Sequence, residues 1–259
     1  MKHFRHQEFT APSAGRRARP VPRRFVTTED WSRPSFEPGG GDASLFYLVF
    51  GELSPDRLPP TPSGLMLTAH SQGEGRLWVE PLVAAIGEGE AGQRALAAIV
   101  RGAPDFAVLR GQRSDPPDLV HLRDAESILA ALLESGAAAV LDVEAQRWWT
   151  PDRFRGEVLT GMRPSLQGHV SVRANTGRIE TRGLRKFGRP DLRLRGVPAG
   201  AESEAVWFCW SVVEYLVRGA RPGSGLTTGG IRLRPSGGPG HPSLEGEWPE
   251  PPLPHARSA

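Results

Sequence analysis

Residues 44–51, SLFYLVFG, are apolar almost without interruption up to a closing glycine, and 64–69 (GLMLTA) and 76–80 (RLWVE) follow with turn residues between them. Short β-rich runs bounded by turn formers predict three strands. A period near 3.6 takes over at 92–102, where Ala95, Leu96, Ile99 and Val100 share one face before a glycine, and it predicts a helix followed by a strand over 105–110. Residues 118–122 predict another strand. Asp124 then stands as the N-cap of a helix whose Ile128, Leu129, Leu132 and Leu133 form one face before Gly136 ends it, and 137–143 returns to strand. Thr150, Pro151 and Asp152 predict a helix start, because threonine caps, proline fits the first turn and an acid meets the positive helix end. Phe154 and Val158 are its inward pair.

Residues 168–173 and 177–182 flank a short turn and predict a hairpin, with Val170 and Val172 on one face and His169, Ser171 and Arg173 on the other. DLRLR (191–195) alternates in the same way. The helix predicted over 201–219 has Ser203 as its cap, Glu214 and Arg218 paired four apart, and Gly219 as its stop. Val206, Trp207, Trp210, Val213 and Val217 give it an apolar face broad enough to predict burial of most of the helix. No repeat of solenoid length recurs. Mixed strand and helix order with antiparallel hairpins predicts one α+β domain over 45–234, a mixed or antiparallel sheet with helices packed on it. Residues 1–44 and 235–259, dense in Pro, Gly, Ser and Arg, predict disordered tails, since such a composition buries too little apolar surface to offset its ordering entropy.

Charge changes the picture locally. The net charge is only +3, and the high pI of about 9.6 arises because every basic residue except Lys2 and Lys186 is arginine and tyrosines are few, so little titrates above neutrality. The excess is concentrated: residues 161–200 are basic, while the body from 45 to 160 is mildly acidic. Cys209 is the single cysteine, which excludes an intrachain disulfide and a cysteine-rich zinc site and points to a reducing, cytoplasmic setting. No stretch approaches the length of a membrane span, and the polar TTED after the arginine pair Arg23–Arg24 argues against an export signal.

The candidates for chemistry each meet a physical objection. Gly87, Gly89 and Gly92 satisfy G-x-G-x-x-G ahead of a predicted helix, and Arg110 stands where it could meet a 2′-phosphate, which is the arrangement of a nicotinamide-dinucleotide oxidoreductase. Glu88 and Glu90, however, occupy the place a phosphate must approach, and Pro81 interrupts the first strand. TAHSQG (68–73) approaches a nucleophile elbow at Ser71, but Gly73 and Gly75 predict a turn into another strand where the elbow needs a helix, and His70 adjoins the serine too closely to serve as its base. His121 and His169 fall at alternating strand positions without metal-site spacing, so no metal is expected. Neither lysine follows a Walker glycine loop. Trp148 and Trp149, beside a helix start, predict packing rather than a binding platform. No cofactor and no catalytic constellation are expected.

The most charged stretch is TRGLRKFGRPDLRLRG (181–196). Arg173, Arg178, Arg182, Arg193 and Arg195 alternate toward one solvent side, and GLRKFG reads as a glycine-bounded turn anchored by Phe187. With no other aromatic nearby, nucleic-acid binding is disfavoured. The candidate anion-binding residues are Arg173, Arg182, Arg185, Lys186, Arg189 and Arg193, and another protein is the expected partner.

The order of these features resembles the C-terminal half of a bacterial family known as domain of unknown function 4261. The resemblance covers residues 45–218 and is carried by AAAVLDVEAQRWWTPDRFRGEVL, the turn and the helix AVWFCWSVVEYLVRG, on Thr181, Gly183, Leu184, Phe187, Gly188, Asp191 and Tyr215. Arg185, Lys186 and Arg189 make this turn more basic than the family pattern, and the Pro/Arg-rich residues 1–44 depart from it. The resemblance implies an intracellular α+β protein and carries over no catalytic residue. Together these readings predict a non-enzymatic binding or regulatory module of immunity type.

Overall fold

The computed structural model describes residues 31–71, 73, 79–81, 84, 91–159, 163–222, 225–238 and 242–249. The described strands form two sheets with helices laid on them, an α+β architecture. The first sheet holds β1 (Ala43–Gly51), β2 (Leu65–Ser71), β3 (Asp105–Arg113), β4 (Ala137–Asp142) and β5 (Arg147–Trp149) in the order β2-β3-β1-β4-β5, antiparallel throughout. Leu45, Tyr47 and Val49 of β1 lie with Ala107 and Leu109 under helix α2 (Val120–Glu134). Leu48 and Phe50 point the other way, with Phe106 and Val108, onto helix α1 (Ala91–Gly102) through Ala97 and Val100. A strand covered on both faces cannot afford polar alternation, which accounts for the unbroken SLFYLVF run.

The second sheet contains β6 (Ser171–Asn175), β7 (Arg178–Arg182), β8 (Asp191–Arg195), β9 (Leu226–Thr228), β10 (Ile231–Ser236) and β11 (Ser243–Glu247), ordered β6-β7-β8-β11-β10-β9. Only the β8–β11 pair is parallel. Helix α5 (Glu202–Val217) covers one face, where Ile179, Leu192, Leu194, Ile231, Leu233 and Leu244 are buried. Two shorter helices, α3 (Pro151–Glu157) and α4 (Leu166–His169), link the sheets. A 3-10 turn, Leu184–Phe187, leaves β7 and packs against β1. Gly183 and Gly188, at φ of 108° and 62°, give it left-handed ends that other residues adopt at a cost.

The ordered core reaches past both expected boundaries. Trp31 is buried, its carbonyl accepts from the Leu119 N–H, and the Ser35 and Glu37 amides donate to the carbonyls of Arg218 and Gly219. The Arg33 guanidinium donates to the carbonyls of Leu216 and Val217 at the end of α5 and to that of Pro116, where a cation meets the negative helix end. At the other terminus β11 lies inside the second sheet, and Trp248 meets Phe208 edge-on at 6.2 Å. Residues 31–44, 235–238 and 242–249 therefore belong to the fold, past the expected limits of 45 and 234, and the rest of the two expected tails lies outside the described residues.

Several local expectations are also corrected. Residues 120–122 are the first turn of α2: the Asp118 carboxylate accepts from the Val120 N–H at 3.1 Å, and Leu119, Leu122, Ala125, Leu129 and Leu132 extend one helical stripe that outweighs the short DLVHL alternation. Asp124 is thus inside the helix. Val79 and Glu80 have helical backbone, so the strand expected at 76–80 fails there, and 76–78 lie outside the described residues. His169 ends α4 and turns inward, with Ser165 Oγ accepting from the Gly168 N–H. On α5 the buried arc is Ala205, Phe208, Cys209, Val212, Val213, Leu216 and Val217, which keeps the expected Val213 and Val217 inside but leaves Trp207 71% exposed, and Ser203 lies within the helix.

Candidate functional site: an arginine face and a buried ionisable cluster

Strand alternation turns Arg173 of β6, Arg178 and Arg182 of β7, Arg193 and Arg195 of β8, and Arg232 and Arg234 of β10 to the side of the second sheet opposite α5. Glutamates interleave with them. Glu180 pairs with Arg178 and, at 3.5 Å, with Arg182, and Glu245 takes Arg193 and Arg195, each at 3.2 Å. Arg173 donates twice to Gln146, to its side-chain oxygen and its carbonyl, both at 2.8 Å, and so holds that residue at a φ of +51°. Arg232 and Arg234 are exposed. Among the described residues, arginines outnumber glutamates on this face.

The turn between β7 and β8 behaves differently from its sequence. Of its cations, only Arg185 approaches solvent, bridging to Glu144 at 3.6 Å. Lys186 and Arg189 are buried, so neither can meet a partner at the surface. Arg189 donates to the carbonyls of Ala220, Gly219, Glu37 and Gly188 and to Asp115, and its guanidinium lies 5.8 Å from the Phe36 ring. Arg33 approaches the same ring at 5.6 Å, and burial together with Arg189 lowers its pKa to about 10. Lys186 makes a buried ion pair with Asp142 of β4 and lies over the Tyr47 ring at 5.7 Å. The cations that give this stretch its basic look thus tie the second sheet to the first.

Around Lys186 a cluster gathers that sequence reasoning missed. His169 Nε2 is 2.7 Å from the Glu126 carboxyl, both side chains being buried, and the His169 ring meets Phe187 edge-on. His121 Nε2 donates to the Lys186 carbonyl at 2.9 Å. Burial raises the Glu126 carboxyl to about 8, partly offset by Lys186, and burial also drives His169 well below its ordinary value. Both directions favour a neutral pair: the carboxyl keeps its proton and donates it to an unprotonated Nε2. The expectation that these histidines occupy alternating strand positions fails because both sit on helical residues facing one interior. The signal was present in the period of 119–133, which sets His121 and Glu126 on the buried side of one helix.

The other candidates separate. Ser71 ends β2 and Gly73 is helical, against the strand expected after it, while His70 is 3.1 Å from Thr68 Oγ1 and stacks on Phe106 at 5.1 Å. Gly87 and Gly89 lie outside the described residues, and Gly92 is in the first turn of α1. Arg110 is exposed and directs its guanidinium at Met66 Sδ. Trp149 is buried, and Trp148 packs 5.7 Å from Phe50. Among the described residues no group of three or more His, Cys, Asp or Glu is placed to hold a metal, and no helix is long and apolar enough to cross a membrane. No protein-family model, curated protein or solved structure matches the chain.

Proposed function

We propose that this chain is a non-enzymatic docking module that engages an acidic protein surface through the open face of its second sheet. The observation that carries this reading is the arginine excess on that face, from Arg173 through Arg193 to Arg234, with Arg182 and the neighbouring Arg185 at its rim. Arginine is the cation best suited to bidentate contact with carboxylates. A protein suits the face better than a nucleic acid does, because among the described residues no aromatic side chain stands among the arginines to stack a base. Mixed charge of this kind steers and orients a protein partner. A cytoplasmic home belongs to the same reading, supported by Cys209, single and buried. So does membership of the family the chain resembles, supported by the glycine-bounded 183–188 turn preceding β8 and α5.

The test is binding of a poly-glutamate peptide to the wild type, to an Arg195→Glu/Arg232→Glu/Arg234→Glu variant and to an off-face control, Arg57→Glu. We expect salt-sensitive binding by wild type and control and none by the triple variant. Tighter binding of single-stranded DNA than of the peptide would replace the reading with a nucleic-acid one. Equal binding by the triple variant would remove it.

A further inference from the structure

Helix α5 keeps one aromatic row in water. Trp207 is 71% exposed and Tyr215 43% exposed, and they stand eight residues apart with exposed Ser211 midway. Steps of four return to nearly the same face of a helix, so the two rings flank a small residue over a rise of about 12 Å. The Ser211 hydroxyl donates back to the Trp207 carbonyl at 3.1 Å, so its proton needs no further partner. The neighbouring edge of α5 is already covered by the end of the last strand. Trp248, which follows β11, meets Phe208 edge-on at 6.2 Å, and its N–H donates to the Arg195 carbonyl. Ser211 is three residues from Phe208 and four from both Trp207 and Tyr215, so it joins that covered edge to the aromatic row. Pro249 is exposed, and the chain continues from it as PEPPLP (249–254), four prolines in six residues. Such a sequence favours the extended polyproline II helix, whose threefold repeat puts Pro251 and Pro254 on one side about 9 Å apart. Exposed aromatic rings suit that helix as partners, because its shape is set in advance and little entropy is lost on docking.

We infer that the chain's own residues 251–254 dock on the Trp207–Ser211–Tyr215 row of α5, led there by Trp248 on Phe208. The tether is short. Pro251 is three residues after Trp248, a reach of about 10 Å, which holds the prolines beside the row at a local concentration on the order of millimolar or above. Weak stacking of proline on indole and phenol is then populated, while a contact of that strength adds little to global stability. The row lies on the helix that covers the other side of the second sheet from the arginine face, so the inference does not depend on the docking reading.

The experiment attaches a nitroxide to Ala256→Cys in the full chain, where the one native thiol, Cys209, is buried, and reads the broadening of nitrogen-labelled amide and indole resonances. The Ser211, Glu214 and Tyr215 amides and the Trp207 indole N–H should lose most of their intensity. Trp207→Ala/Tyr215→Ala, at two exposed positions, should restore most of the intensity of the Ser211 and Glu214 amides. Pro251→Gly/Pro254→Gly, which leaves every described residue intact, should do the same. No broadening on α5, or equal broadening in the wild type and both variants, would show only a tethered label passing by and would overturn the inference. Equal broadening of nitrogen-labelled chains that lack the nitroxide, mixed with spin-labelled ones, would also overturn it, since the occupant would then be the tail of a second copy.

Discussion

Replacing Glu126 by Gln tests whether the buried pair with His169 is neutral. A carboxyl whose folded pKa is raised from 4.5 to about 8 holds a proton that the unfolded chain releases, so its contribution is lost as pH rises through that window. Each pH unit costs about 1.4 kcal/mol while the two states differ by a full proton. Glutamine cannot ionise, yet its amide can donate to the same Nε2, so the variant keeps the hydrogen bond without the titration. The stability difference between variant and wild type cancels the other titrating groups, including His169, whose lowered pKa removes stability only as pH falls below about 6.5. Between about pH 5 and pH 8 the variant should gain on the wild type by up to about 4 kcal/mol. Urea unfolding at fixed ionic strength, followed by tryptophan emission, measures this directly. A Glu126→Gln variant that is less stable than wild type by a constant or growing margin would show a charged Glu126–His169 pair and refute the reasoning.

Lys186→Met should destabilise the chain by about 3–5 kcal/mol in the same assay, because Asp142 would keep a buried charge without its counter-ion, and adding Asp142→Asn, whose side-chain oxygen can still accept from the Ala145 N–H, should recover most of the loss. Were Lys186 a surface binding residue, the single substitution would leave stability alone. Gly188→Ala should cost about 2 kcal/mol or more, read as a lowered urea midpoint, since its left-handed φ is unfavourable and the new Cβ would press on the Gly41 carbonyl oxygen. Trp207→Ala should change stability by less than about 0.5 kcal/mol, because the indole is mostly in water; a loss near that of a core tryptophan would contradict the observed helix orientation.

Features governed by nearby residues were legible in the sequence. Thr150–Pro151 opens α3, Gly136 follows the end of α2, Gly219 stops α5, and the 171–182 hairpin and β8 fall where alternation puts them. What escaped was decided by distant partners. A lysine in RKFG reads as solvated until Asp142, 44 residues earlier, is known to sit against it, and Arg189 needs Asp115, 74 residues earlier, with the carbonyls beyond α5. β11 carried almost no pattern of its own, with Leu244 its main apolar side chain. It is a strand because β8 and β10 present open hydrogen-bonding edges on either side. The orientation of α5 turned on which of two aromatic arcs the sheet would accept, and small Ala205 and Cys209 let the helix lie close on the arc that excludes Trp207.

The position of β11 has a consequence for how the molecule is made. Because residues 243–247 slot between 191–195 and 231–236, a growing chain that has emerged only as far as residue 240 holds two half-sheets with unsatisfied edges facing each other. Closure must wait for residues 243–247, so a chain cut before residue 243 would be open down the middle of this sheet and prone to recruiting the same strand from a neighbour.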